Sequence, residues 1–550
     1  MKLDQQTIGS QRAALLEKGY ALPAFDRAAV ARNTAARPEW VHFGAGNIFR
    51  AFVANLCQGL LNAGLADSGI SVIVRTTDPN VIVAEGFDTE ILDVAYRPFD
   101  NLSVLATLCA DGRIQKTVIG SVVDSLAMDR DTDDWARLEA AFRSPTLKMA
   151  SLTITEKGYN IRDGHGDYFP AVLADMENGP AHAESYIGKI AGLCHARFAA
   201  GGAPIAMVSM DNCSHNGSRL EAAVCAFADA WAERGLCADG FAEYMHDPAR
   251  VSFPWSMIDK ITPRPDDSVR EMLEKDGFAD MGVRVTGRRS FVAPFVNAEE
   301  AQYLVIEDAF PNGRPPLERV GVIFAAREVV DMVETMKVCT CLNPLHTCLA
   351  VLGCLLGFAR ISAEMQDADL KKLVEIVGYR EGLPVVVDPG VISPRAFIDE
   401  VIGKRFPNPF LQDTPQRIAT DTSQKIAIRF GSTIKKYAAS DTLCVKELKL
   451  IPFVIAAWCR YLMAVGDDGK PFQPSDDPLM PMLAPRFAGV RLGEPCDVHE
   501  LLAPVLSDER IMGVDLYQVG LGEAVEACFA EMITGPGAVR SALHRRVTEA

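Results

Sequence analysis

The chain has 550 residues, 49% hydrophobic and 23% charged, which is the balance of a globular protein with room for two or three domains. A formal charge of −17 leaves no basic surface of the kind that phosphate-backbone recognition needs, so nucleic acid is excluded as an expected partner. The N-terminus has no apolar signal core. The longest apolar run, Leu345 to Ala359, carries His346 and Thr347 and is short for a bilayer, so it reads as a buried helix in a cytoplasmic protein with no membrane partner.

In chain order, the stretch "PEWVHFGAGNIFRAFVANL" begins with a short apolar strand at Trp40–Phe43. Gly44-Ala45-Gly46 follows. From Asn47 to Ala63, Phe49, Phe52, Val53, Leu56, Leu60 and Leu61 recur at mostly three- and four-residue steps, which predicts a helix that stops at Gly64. Ile70 to Val74 is a second β-branched run. Strand, Gly-x-Gly, helix, strand is a βαβ unit whose glycines fall where a Rossmann turn brings backbone close to a pyrophosphate at a helix N-terminus. The third glycine of the full fingerprint is missing; Ile48, Phe49 and Arg50 stand near its place.

Further strand-like runs start at Leu102, Lys116, Leu147 and Ala203, with a helix over Arg219 to Arg234 and more strands up to Phe310. This predicts an α/β domain with a largely parallel sheet. The Pro/Gly-rich piece "PNGRPPLE" reads as a linker. Beyond it the pattern is helical over Arg319 to Met336, Pro344 to Arg360, Ala368 to Val377, Leu448 to Val465 and after Val498. The expected organisation is a Rossmann-type dinucleotide-binding domain over residues 1–312 and a mostly α-helical domain over 313–550.

None of the fourteen cysteines forms a Cys-x-x-Cys pair. Cys339, Cys341, Cys348 and Cys354 lie near His346 in an apolar stretch, where thiols pack as small hydrophobes, so no metal site is expected. Polar groups instead gather in five short stretches. "TITEKGY" and "SMDNCSHNG" end strands, where open α/β sheets bind ligands. "FPWSMIDKITP" holds Asp259 and Lys260 in an apolar frame. "ETMKVCTCLNPLH" holds Glu334, Lys337, Asn343 and His346. "RIATDTSQK" holds Arg417 and Lys425.

The order of these stretches, with the glycine turn and "RFPNPFLQDTPQRIATDTSQK", resembles the mannitol dehydrogenase family, the long-chain polyol and sugar-acid dehydrogenases. The resemblance spans roughly residues 38 to 465 and implies metal-independent, NAD(P)-dependent oxidoreductase chemistry. It implies Lys337 as the general base, Asn343, His346 and Asn212 as groups on the reacting oxygen, and Glu334 as a proton-relay carboxylate. A lysine, ordinarily near pKa ~10.4, has to be lowered to act as a base at neutral pH. Arg417 and Lys425 would grip substrate hydroxyls or a carboxylate. Gly44, Gly46, Asn47 and Ile48 would contact the cofactor at the turn, and Ile258 and Asp259 would lie beside the nicotinamide carboxamide. A site in the cleft between the two domains is implied. The expected small-molecule substrate is an open-chain sugar acid, D-mannonate and its ketouronate D-fructuronate, because Arg405, Arg417, Lys425, Lys435 and Lys436 would welcome a carboxylate. The alternatives are a polyol such as mannitol and an epimerase that retains its NAD.

Plainer readings stand beside these. Lys337 could end a helix, Asn343 could be an N-cap ahead of Pro344, and Arg417 and Lys425 could be solvated helix charges. For the cofactor, Asp78 could take the ribose hydroxyls of NAD, whereas Arg75 could meet the 2′-phosphate of NADP; NAD is the expectation. One departure from the family pattern bears on the base. Five residues separate Lys337 from Asn343 where the pattern has four, and on a continuous helix the extra residue turns the lysine by about 100°. The site survives that insertion only if the segment is not one regular helix.

Overall fold

The computed structural model describes residues 1–75, 90–286 and 290–550. Two compact units are present: residues 1–109 with 113–331, and residues 332–550 with 110–112.

The first unit is built on six parallel strands: β1 (Trp40–Phe43), β2 (Ile70–Arg75), β3 (Val122–Met128), β4 (Met149–Leu152), β5 (Ile205–Ser209) and β6 (Val251–Ser252). Their spatial order is β3-β2-β1-β4-β5-β6, the doubly wound Rossmann arrangement, with its reversal of direction between β1 and β4. The period-2 alternation of β1 sends Val41 and Phe43 into one apolar core and Trp40 into another on the opposite face. Helix α1 (Ala54–Asn62) covers the second face, and α2 (Asn216–Glu233) the first.

The run from Lys116, read in sequence as one apolar stretch, is two strands. Ile114–Ile119 pairs antiparallel with Ser103–Leu108 in a separate four-stranded sheet, and only Val122–Met128 joins the parallel sheet. Gly120 makes the corner, where a Cβ would press on Pro23. A three-stranded sheet follows, in which Tyr303–Glu307 lies between Ser256–Asp259 and Ile323–Ala325. That last strand shortens the helix expected from Arg319: α3 is Arg327–Met336.

The second unit is helical. Its centre is α4 (Asn343–Leu356), packed against the short α5 (Pro415–Ile418) and against α6 (Leu450–Tyr461), which is buried along its whole length. The stretch Arg327–Leu356 has the length and hydropathy of a membrane span, but 78% of its most apolar window is buried inside the protein. It reads as a core helix. Glu381 caps α6, accepting from the amides of Lys449, Leu450 and Ile451 at 2.6, 2.7 and 2.8 Å.

One buried acid has no such partners. The Glu364 carboxyl packs where a Cβ on Gly353 of α4 would stand, a place that Pro415 of α5 also borders, and among the described residues neither carboxyl oxygen meets a hydrogen-bond donor. Burial pushes its pKa up to about 9. The folded protein then holds a proton that the unfolded chain has released above the ordinary value of 4.5, so the stability contributed is complete below that pH and is lost up to about 9. Glu364→Gln should therefore gain stability relative to wild type as pH rises across this window, by up to about 1.4 kcal/mol per pH unit. Urea melts of both proteins at pH 5, 7 and 8.5 check this; a pH-independent difference would refute it.

Candidate active site

At the end of β1 the amide of Gly44 donates to Ile73 O (3.0 Å), and at the end of β4 the amide of Thr153 donates to Phe43 O (2.9 Å). The end of β1 is therefore held to β2 on one side and to β4 on the other, up to the point where the sheet reverses. Gly44 has φ +111°, and a Cβ there would fall well inside contact distance of the Thr153 carbonyl oxygen. Only glycine fits. Gly46 is buried, and its carbonyl accepts the amide of Arg50. A π-helical turn, Phe49–Val53, then leads into α1. Phe49 takes the space near the missing third glycine and stacks on His42 at 4.3 Å. His42 is sealed between the hydroxyls of Ser151 and Thr153, and burial holds it neutral, with its pKa pushed down to about 3.

Asn47 orients the buried Arg50, whose Nη2 donates to Asn47 Oδ1 at 3.0 Å and whose Nη1 donates to Ala293 O at 2.6 Å. Ile48 packs against the apolar core. A tight turn with glycine at both ends, at a helix start and with a guanidinium close by, is a cradle that suits a dinucleotide pyrophosphate. Asp78 lies outside the described residues.

The polar loops beyond β4 and β5 are held by Asp211. Its carboxylate accepts the amides of Ile154 and Thr155, both at 2.8 Å, and the Tyr159 hydroxyl at 2.5 Å. Thr155 has φ 65° and ψ 158°, a region that β-branched residues avoid; the two amide bonds hold it there. Asn212, next in sequence, is exposed. Asn216 ties this loop to the strand that ends at Asp259: its Nδ2 donates to Asp211 O and Ser256 O, and its Oδ1 accepts the Ser256 amide, all at 2.9 Å. Ile258 and Asp259 are both buried on that strand.

In the second unit, Glu334 is half-buried on the last turn of α3, and Lys337, buried, opens a π-helical turn over Lys337–Cys341. The amide of Leu342 reaches back five residues to Lys337 O at 3.1 Å, and Leu342 itself leaves helical geometry with φ −126° and ψ −62°. The segment is thus not one regular helix. The wide turn takes up an extra residue where an α-helix would have rotated Lys337 away from Asn343. Asn343 is the first residue of α4, and its side chain makes no cap.

His346 lies one turn on, beside Phe406, with ring centroids 5.0 Å apart. Among the described residues its Nε2 has no hydrogen-bond partner; the carboxylate oxygen Asp413 Oδ2 is 3.8 Å away. Burial, together with the guanidinium groups of Arg429, Arg417 and Arg405, pushes its pKa down to about 3, so the imidazole is neutral. Arg417 pairs with Asp413. Lys425 donates to Thr420 O, and burial and the Arg429 cation lower its pKa. Arg417 and Lys425 do not share a regular helix, because left-handed Asp421 lies between them. Sequence reasoning missed Arg429, Asp413 and the supporting role of Asp211. The signal for Arg429 was its spacing, one helical turn after Lys425. Among the described residues no group of three or more His, Cys, Asp and Glu is placed to hold a metal.

Two family signatures match: the mannitol dehydrogenase Rossmann domain over residues 38–319 and the mannitol dehydrogenase C-terminal domain over 329–527. The chain belongs to the mannitol dehydrogenase family. Within it, a D-mannonate oxidoreductase of Thermotoga maritima is 50% identical over 549 residues, covering 100% of this chain and 99% of the relative. A mannitol 2-dehydrogenase of Cereibacter sphaeroides is 30% identical, covering 82% and 86%. Among solved structures, the ternary complex of Pseudomonas fluorescens mannitol 2-dehydrogenase with NAD and D-mannitol aligns over the whole of both chains, with a TM-score of 0.67 and 25% identity.

Gly44 gives the turn its sharpest constraint. Gly44→Ala should cost about 2–4 kcal/mol of stability and weaken NADH binding at least tenfold. Urea unfolding and NADH fluorescence titration check the two effects. Wild-type affinity in the variant would remove the turn from the cofactor site.

Proposed function

We propose that this member of the mannitol dehydrogenase family is an NAD-dependent, metal-independent oxidoreductase that interconverts D-mannonate and D-fructuronate. The observation that carries the sugar-acid reading is the electrostatics around His346: three guanidinium groups bear on it, and the nearby carboxylate, Asp413, is already paired with Arg417. Such a site favours an anionic substrate over a neutral polyol. The full-length likeness to a relative named D-mannonate oxidoreductase supports the same reading.

The residues divide the work as follows. The Gly44–Gly46 turn with Asn47 and Ile48 holds the dinucleotide, and Ile258 and Asp259 orient its amide end. Bound nicotinamide supplies the hydride acceptor. Lys337 takes the hydroxyl proton as the carbinol C–H bond breaks and the carbonyl forms, and it returns that proton in the reverse direction. Asn343 and neutral His346 donate hydrogen bonds to the substrate oxygen, where alkoxide charge develops, and Asn212 holds that oxygen or its neighbour. The unpartnered Nε2 of His346 is a buried polar atom that a substrate oxygen would satisfy. Glu334, one turn before Lys337, relays the proton to solvent. Arg417 and Lys425 bind the substrate chain.

Nicotinamide absorbance with D-fructuronate, D-fructose and NADH tests the assignment. Reduction of the acid far faster than the neutral ketose is expected, and it should survive exhaustive chelation. Lys337→Ala should lower kcat by about 10³-fold while NADH titration stays unchanged. Preference for fructose would move the assignment to mannitol, and chelator-sensitive turnover would overturn the metal-independent mechanism.

A further inference from the structure

Two of the buried arginines, Arg197 and Arg460, are held by backbone carbonyls. Arg197 donates to the carbonyls of Phe142, Ser144, Leu147, Ala203 and Pro204, using every N–H it has. Arg460 reaches the carbonyls of Val465, Gly466 and Met532. Both are structural clamps, and Arg197 has no capacity to spare.

Arg429 is different. It lies in a π-helical turn, Ala427–Gly431, and among the described residues its side chain makes one hydrogen bond, from Nη1 to Thr347 Oγ1 at 2.5 Å. That hydroxyl is itself fixed, because it donates to Asn343 O at 2.9 Å. Arg429 is therefore pinned to the same turn of α4 that carries Asn343 and His346. Among the described residues it has no carboxylate partner. Its other nitrogens are not among the sealed, unpartnered atoms, so they face accessible space. Its neighbours intensify the demand for an anion. Lys425 is a second cation close enough to be disfavoured by it, and Arg417 is neutralised by Asp413. Burial without compensation lowers even this guanidinium, to about 10. A half-buried positive charge with one neutral hydrogen bond is costly unless an anion completes it.

We propose that Arg429 is the residue that receives the substrate carboxylate, its free N–H groups pairing with the two carboxylate oxygens, and that it sets the preference for sugar acids over neutral sugars. This deepens the proposed function and rests on it. Arg417 and Lys425 are the poorer candidates for the carboxylate, because Asp413 occupies the first and Thr420 O holds the ammonium of the second. The planar fork of a guanidinium also matches a carboxylate better than an ammonium does.

The test compares kcat/KM for D-fructuronate with kcat/KM for D-fructose, both with NADH, in wild type, Arg429→Gln and Arg429→Lys. Arg429→Gln should lower the acid-to-neutral ratio by roughly 30- to 100-fold, the loss expected for a charged hydrogen-bonded pair. Arg429→Lys, which keeps the charge without the fork, should fall between the two. Sulfate, as an anion probe, should inhibit wild type competitively against fructuronate and inhibit Arg429→Gln more weakly. Circular-dichroism melts establish that the variants fold; should Arg429→Gln melt early, Arg429→Lys and the sulfate competition carry the decision. If wild type prefers fructuronate and the ratio is unchanged in folded variants, the carboxylate anchor is wrong and the sugar-acid function stands. If wild type prefers fructose, the sugar-acid function fails and this inference fails with it.

Discussion

The approach of Gly44 to the Thr153 carbonyl is the constraint on which the first unit depends. β1 and β4 are neighbours at the place where the order of the sheet reverses, and each is prolonged by one backbone hydrogen bond past its last paired residue. That prolongation brings the backbone of residue 44 so near residue 153 that no side chain is tolerated. Chain leaving β1 has to turn at once into the helix, and chain leaving β4 is driven outward into the loop that contains Thr155. The strained conformation at Thr155 would relax if left alone, and Asp211 prevents that by accepting two consecutive amides. One short contact therefore constrains both the turn proposed to cradle the cofactor and the loop that follows β4.

A related economy recurs along the helices. Among the described residues five π-helical turns occur, and three of them carry residues of the proposed substrate site: Lys337 begins one, Arg405 ends another and Arg429 lies within a third. Each such turn accommodates one residue more than an α-turn, at poorer hydrogen-bond geometry, and so shifts the azimuth of everything that follows. The insertion after Lys337 illustrates the consequence. In an unbroken α-helix it would have separated the lysine from Asn343 by about a quarter turn more than the family pattern; in a π turn followed by a break at Leu342 it is absorbed locally. Helix irregularity here aims side chains that regular helices would leave misdirected.

What the sequence made legible follows the same physics. Strands with clean alternation and a glycine at their end, such as Trp40–Phe43, could be read because their signal is local. The polar stretches at strand ends could be read because carboxylates, amides and lysines are out of place in apolar frames. Where two strands met in one apolar run, as on either side of Gly120, nothing in the composition marked the change of sheet. The start of α3 was misplaced because Ile323–Ala325 is apolar enough to continue a helical pattern and is a strand only by virtue of pairing with Tyr303–Glu307. Asn343 before Pro344 has the look of a cap, yet Leu342 occupies that position. Arg429 showed only its spacing after Lys425, and its role was hidden for a deeper reason. A solvated arginine and an uncompensated one have the same spelling, and only the inventory of acceptors around the folded side chain separates them.

That inventory also explains why a histidine can sit among arginines. An imidazolium at His346 would have to be desolvated and would add another positive charge to a site already holding guanidinium groups; both effects hold the ring neutral. Neutrality is what the proposed chemistry requires of it. In the proposed mechanism a neutral ring N–H would stabilise developing negative charge on the substrate oxygen without offering it a more acidic proton, which leaves the exchanged proton to Lys337. The cations that keep His346 neutral are those that favour an anionic substrate. Substrate preference and the division of labour between base and hydrogen-bond donor are thus two consequences of one charge distribution, and a change in either should be felt in the other.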